Sequence, residues 1–208
     1  MRGRPRKFDQ DQALEKATQL FLFRGFEGAG LNDLLEHMGI ARQSLYRTFG
    51  DKKSLFVSAL RVYGKSHMGE LRSMLQGPGS PMDNLLAMLA AMRERATQPE
   101  FRGCLLANSL AEFGDQDEHI AQVLRELITE FEAIFFDGLQ AAQDQGELAP
   151  SLNIRAWART LTSVANGLSV LGKLHPGEAF MADVMDTVVG TLGGLRTPVE
   201  AVPAAAAG

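Results

Sequence analysis

Between its glycine and proline clusters, this chain repeats apolar residues every three or four positions and nowhere convincingly every two. Leu31, Leu34, Leu35 and Met38 show the pattern in its shortest form, and it recurs along the whole length. That period is the signature of helices with one buried face, and it rules out a sheet built on alternation. The breaks are equally plain: "GFEGAG" (25–30), Gly39, "GPGSP" (77–81), Pro99, Gly114, "GELAP" (146–150) and "HPG" (175–177). Between them the sequence predicts helices over 10–24, 31–38, 42–48, 52–76, 82–97, 101–113, 117–145, 152–173 and 178–196, and no strand. Asp9 is a suitable N-cap for the first, with Gln12 completing a capping box. The expected fold is all-α.

Two short helices joined at Gly39 form a helix-turn-helix. The glycine allows positive φ, and Ile40 plugs the angle between the helices. Leu45 and Phe49 face inward on the second of the two. Arg42, Gln43, Ser44, Tyr46, Arg47 and Thr48 are left outward. Arginine pairs with guanine O6/N7, glutamine with adenine N6/N7, and hydroxyls reach phosphates. Lys52 stands at the start of the next helix, where its charge and the helix N-terminus both suit a phosphate. Ahead of everything runs "RGRPRK", with Arg4 and Arg6 on a segment that Gly3 and Pro5 keep extended, suited to following a phosphate backbone or entering a minor groove. Any amphipathic helix has a polar face, so these groups could also serve solvation alone.

Charge separates the two explanations. Residues 1–63 hold 11 Lys/Arg and 7 Asp/Glu, a balance of +4, while residues 64–208 hold 10 and 18, a balance of −8. A basic head on an acidic body points to a polyanionic partner for the head only. The 208 residues, 45% of them hydrophobic, suffice for one domain and a smaller companion. The expected division is a basic arm (1–8), a DNA-binding head (9–56), a helical body (57–197) and a disordered tail (198–208). Cys104 is the only cysteine, which excludes an internal disulfide and a four-cysteine zinc site and fits a reducing cytoplasm. No apolar stretch follows the charged N-terminus as in a secretory signal, and no run approaches the ~18 apolar residues of a membrane span.

The stretch "ALEKATQLFLFRGFEGAGLNDLLEHMGIARQSLYRTFGDKKSLFVSAL" (13–60) resembles the DNA-binding head of the TetR family of bacterial repressors, in the order and spacing of "FLFRGF", "LNDLLEHMGI" and "SLYRTFGDKKSLF". The resemblance implies a homodimer on a near-palindromic, inverted-repeat operator, and a C-terminal body that dimerises and binds a small-molecule inducer. By position it assigns base reading to Arg42, Gln43 and Ser44, phosphate holding to Tyr46, Thr48 and Lys52, and a further DNA-facing place to Asn32. Three positions depart from the family pattern. Ala41 leaves the third helix without a side-chain cap, at a cost of ~1 kcal/mol. Leu35 stands where a small residue is common, and Gly30–Leu31 replaces a hydroxyl pair.

In the body, Met68, Met88, Met92, Cys104, Leu105, Asn108, Phe113, Phe131 and Phe135 are candidates to line an inducer cavity, which the resemblance encloses with helices four to seven. Apolar stripes of this kind are more often plain core. Asn108, the one amide in "CLLANSLAEF", either hydrogen-bonds a ligand or fills a buried gap. Cys104, following Arg102 and Gly103 at the expected start of helix six, is either a small buried hydrophobe or an activated thiol that senses electrophiles or oxidants. Helix four links head to body, with Gly64 and Gly69 as points where it could bend. The small residues of "WARTLTSVANGLSVLGKL" (157–174) and the last helix are assigned to the dimer interface. An enzyme is the opposing class, and little supports it. The four histidines lack metal spacing, "GFEGAG" follows no strand, and neither a catalytic residue nor a cofactor motif emerges. A ligand-free architectural DNA-binding protein is the third alternative.

Overall fold

The computed structural model describes residues 8–197. Arg4 and Arg6, with most of the arm, and the tail from 198 lie outside the described residues. Nine α-helices and one short 3-10 turn make up the described chain, and the only β-type pairing among the described residues is a single bridge between Leu148 and Arg196.

The head is α1 (Gln10–Gly28), α2 (Leu31–Met38) and α3 (Arg42–Phe49). Asp9 caps α1 by accepting from the Asp11 and Gln12 amides at 3.0 and 3.1 Å. The regular helix stops at Gly25, whose φ of 72° and ψ of −178° only glycine adopts readily, and 26–28 form a further turn beyond this kink. Gly39 closes α2 in the left-handed conformation, and the amide of Ile40 reaches back to the Leu35 carbonyl, a Schellman closure that sets the angle to α3. As expected from Ala41, α3 begins without a side-chain cap.

Asp51 then caps α4 (Lys52–Leu75) through the Ser54 amide at 2.7 Å, and that bond holds its carboxyl below the usual range. At 24 residues, α4 spans about 36 Å and runs unbroken from head to body. Neither Gly64 nor Gly69 interrupts it. Gly64 is a close-packing position instead: a Cβ there would fall 2.4 Å from Leu127 Cδ2.

The body contains α5 (Pro81–Thr97), α6 (Leu105–Phe113), α7 (Glu118–Asp144), α8 (Ile154–Leu171) and α9 (Glu178–Gly193), with α7 packed along α4, α5 and α8. Helix six starts four residues later than expected. Gly103 has φ of 82°, outside the helical range, and a Cβ on it would meet the Ser169 carbonyl at 2.9 Å, so 101–104 run as a loop pressed on α8. Cys104 is therefore the residue before α6, not part of its first turn.

Head and body share a core. Phe21, Phe26, Phe56 and Phe113 form an aromatic cluster with centroid separations of 4.9 Å (Phe21–Phe56), 5.1 Å (Phe26–Phe56), 5.3 Å (Phe26–Phe113) and 5.4 Å (Phe56–Phe113). The first three are edge-to-face pairs, each contributing about 0.5–1.5 kcal/mol beyond area burial.

Candidate functional site

The Schellman turn leaves one face of α3 free. Arg42, Gln43, Tyr46 and Arg47 are exposed on it, Ser44 and Thr48 are half-buried at its margins, and Leu45 anchors the opposite face. Tyr46 has 50% of its surface exposed, high for an aromatic side chain, with nothing among the described residues to cover it. Arg42 Nη2 donates to Asn32 Oδ1 at 2.8 Å, so the two helices of the motif present that pair together. Lys52 Nζ sits 4.4 Å from the centre of the Phe26 ring, a cation–π position near the start of α4. Its neighbour Lys53 turns away and pairs with Asp117, the cap of α7; that partner raises the lysine's pKa and lowers the aspartate's.

In the body, a cavity of about 120 Å³ opens between α4, α5, the 101–104 loop, α8 and α9. Leu89, Leu161, Val164, Leu168, Met185 and Val188 give it apolar walls, and Tyr63, His67, Glu70, Arg93 and Arg95 line its polar side. Of the residues singled out in the sequence, Met92 and Cys104 line it. Met68, Met88, Leu105, Phe131 and Phe135 are buried core, and Phe113 belongs to the head–body aromatic cluster. Asn108 donates to the Arg102 carbonyl at 3.0 Å while its Oδ1 is buried without a partner. It secures the loop rather than lining the cavity. This cavity is walled by α4, α5, α8 and α9, whereas the resemblance implies a site enclosed by helices four to seven; α6 and α7 turn their apolar faces to the core.

Tyr63 and His67 were not legible as cavity residues. They lie one helical turn apart on α4, with ring centroids 5.5 Å apart, and that i, i+4 aromatic spacing is the signal available in the sequence. Burial first, and then the neighbouring Cys104, push the Tyr63 phenol far above its ordinary range. Burial and the Arg95 charge lower the His67 pKa, with Glu70 opposing, which leaves the imidazole neutral at pH 7. The cavity therefore sets a polar wall, with the uncharged Tyr63 and His67 beside the charged Glu70, Arg93 and Arg95, against an apolar one.

A basic, hydroxyl-rich helix on a three-helix head, joined by one continuous helix to an acidic body with its own cavity, defines a helix-turn-helix regulator. The sequence model described as bacterial regulatory proteins, tetR family, matches residues 13–59, and the one described as tetracyclin repressor-like, C-terminal domain, matches 81–188. The chain is 33% identical over 192 residues to the uncharacterized HTH-type transcriptional regulator YezE of Bacillus subtilis, covering 91% of this chain and 99% of that one. It is 29% identical over 173 residues to the HTH-type transcriptional repressor ComR of Escherichia coli, covering 81% of each. Among solved structures, a cysteine mutant of the TetR family transcriptional regulator CifR, complexed with 26-bp double-strand operator DNA, superposes with a TM-score of 0.81 at 32% identity, over 90% of this chain and 98% of that one. The chain belongs to the TetR family of bacterial regulatory proteins.

Proposed function

We propose that this protein is a transcriptional repressor that holds a double-stranded, inverted-repeat operator as a homodimer and leaves it when a small, mostly apolar molecule fills the cavity between α4, α5, α8 and α9. The observation that carries the reading is the free face of α3, where Arg42, Gln43, Tyr46 and Arg47 stand exposed on a helix with no acidic residue. The likeness to CifR, solved on its operator, and to ComR, named a repressor, supports both the partner and the sign of regulation.

Arg42, Gln43 and Ser44 read bases in the major groove. Tyr46, Arg47, Thr48 and Lys52 hold phosphates, with Asn32 positioning Arg42 and the arm residues Arg4 and Arg6 adding backbone contacts. The arm (1–8), head (9–56), body (57–197) and tail (198–208) divide this work, in the cytoplasm where the DNA lies. Twofold pairing follows from the apolar side chains left outside on the last two helices and the turn between them: Val170, Leu171, Leu174 and Phe180 are exposed, Leu174 at 78%. Of the small residues assigned to that interface, Ala158, Thr162 and Ala165 pack inward, while Gly167 faces out. Two heads on a twofold axis require half-sites about 34–36 Å apart.

A second reading makes the Cys104 thiol the sensor, favoured by its place in the cavity wall beside Tyr63. Cys104→Ser separates the two: it abolishes release by thiol reagents and spares release by an apolar ligand.

The test of the DNA reading is selection of a duplex from random sequence, followed by titration of variants. Lys52→Ala is expected to weaken specific and random duplexes alike. Gln43→Ala is expected to relax preference at one position per half-site by about 1–3 kcal/mol. Equal losses on both duplexes for both variants would refute the division of roles.

A further inference from the structure

Beyond Gly25 the backbone turns, and the N–H groups of Phe26 and Glu27 find their acceptor in the body, not in the head. Both donate to one carboxylate, that of Glu112: Phe26 N–H to Oε2 at 2.9 Å and Glu27 N–H to Oε1 at 2.8 Å. A Cβ at position 25 would fall 2.9 Å from that Oε2, so glycine permits both the left-handed φ and the close approach. Hydrogen bonds to an ionised acceptor are about twice as strong as neutral ones, and using both oxygens fixes orientation as well as distance.

Glu112 lies in the last turn of α6, and Cys104, in the cavity wall, immediately precedes that helix. The helix is nine residues long, about 13 Å. At its cavity end the loop is fastened to it: Asn108 Nδ2 donates to the Arg102 carbonyl at 3.0 Å, and the Asn108 amide donates to the Cys104 carbonyl at 2.9 Å. At its other end, beside Glu112, the Phe113 ring packs on Phe26 and Phe56. Displacing the loop must therefore displace α6, and α6 grips the turn that leads into the helix-turn-helix. The remaining side-chain ties between the start of α4 and α7, Lys53–Asp117 and Arg61–Glu126, are surface ion pairs of the kind that contribute little.

We propose that Glu112 is the positioning residue that couples the cavity to the DNA-reading head, by clamping the Phe26 and Glu27 amides to the end of α6. The proposal rests on the cavity's role as effector site. Coupling of this kind is reciprocal: whatever the cavity does to the head, DNA on the head does to the cavity.

The single cysteine makes N-ethylmaleimide a probe of the cavity, because Cys104 offers the only thiol. Wild type and Glu112→Gln, which keeps the size but loses the charge and one acceptor, are alkylated to the same extent as judged by mass spectrometry. Both are then titrated with the selected duplex. Alkylation is expected to weaken wild-type binding about tenfold or more and Glu112→Gln binding less than about threefold. In parallel and without reagent, adding the duplex is expected to slow amide hydrogen exchange along residues 105–113 in wild type and not in Glu112→Gln. Retention of either response in Glu112→Gln overturns the proposal. So does a variant that is merely less stable, with both ratios unchanged. If alkylation leaves wild-type affinity untouched, the cavity's effector role fails separately. Glu112 is then judged on exchange alone: loss of the slowing in Glu112→Gln supports the coupling and its persistence overturns it.

Discussion

The same substitution made twice in one helix should have opposite effects, because α4 presents one glycine to α7 and another to solvent. Gly69 is exposed and helical, and a Cβ there meets nothing within 4 Å. Gly69→Ala gains only the helix-propensity difference, about 1 kcal/mol of stabilisation. Gly64 is buried, and its new Cβ would lie 2.4 Å from Leu127 Cδ2, 3.4 Å from Cδ1 and 3.5 Å from Cγ. Carbon–carbon contacts are optimal near 3.5–4.0 Å, so Leu127 must withdraw by roughly an ångström. It is itself buried, with 6% of its surface exposed, and has little room to do so. Overpacking of this kind costs about 1–3 kcal/mol, set against the same propensity gain. The two variants are therefore expected to differ by about 1–3 kcal/mol, with Gly69→Ala above wild type and Gly64→Ala at or below it. For a chain of this size each kcal/mol is about 2–4 °C in Tm. Thermal unfolding followed by circular dichroism at fixed protein concentration measures this, since pairing makes Tm concentration-dependent. Adding Leu127→Ala to Gly64→Ala should remove the clash, so the pair should be less destabilising than the sum of the two single changes. Two alanines that raise Tm equally would refute the close approach of α4 to α7.

Three further outcomes are expected. His67 has its pKa lowered by burial and the Arg95 charge, so the stability it contributes is intact above its ordinary value of 6.5 and is lost as pH falls through 6.5 toward the lower folded value; urea midpoints should decline between pH 7 and 5, less so in His67→Phe. Ala41→Ser supplies the missing cap of α3 and should raise stability by about 1 kcal/mol, read as Tm without operator. Leu171→Asp with Leu174→Asp places charge on the exposed apolar patch and should shift sedimentation from dimer toward monomer, weakening operator binding with it; an unchanged dimer would remove α8 from the interface.

The sequence by itself determined the local structure. Apolar spacing placed all nine helices, and glycine and proline placed many of their ends to within a residue or two, because periodicity and φ preference are properties of neighbouring residues. The α3 face was legible for the same reason: Gly39, Ile40 and Leu45 orient a short helix, and what they leave outward follows from a 3.6-residue period. Tertiary structure decided everything that depends on which stripe meets which. Phe131 and Phe135 read as core more readily than as cavity, and the packing of α7 against α4 and α8 buries them. Tyr63 and His67 read as one more helical turn until α5, α8 and α9 stopped short of covering them. Helix six begins late because Gly103 takes a φ of 82°, at a place where a side chain would meet the Ser169 carbonyl, 66 residues away in sequence. The grip of Glu112 on two amides 85 and 86 residues away has no sequence signal, because a carboxylate near the end of a helix looks the same whether it meets water or another part of the chain.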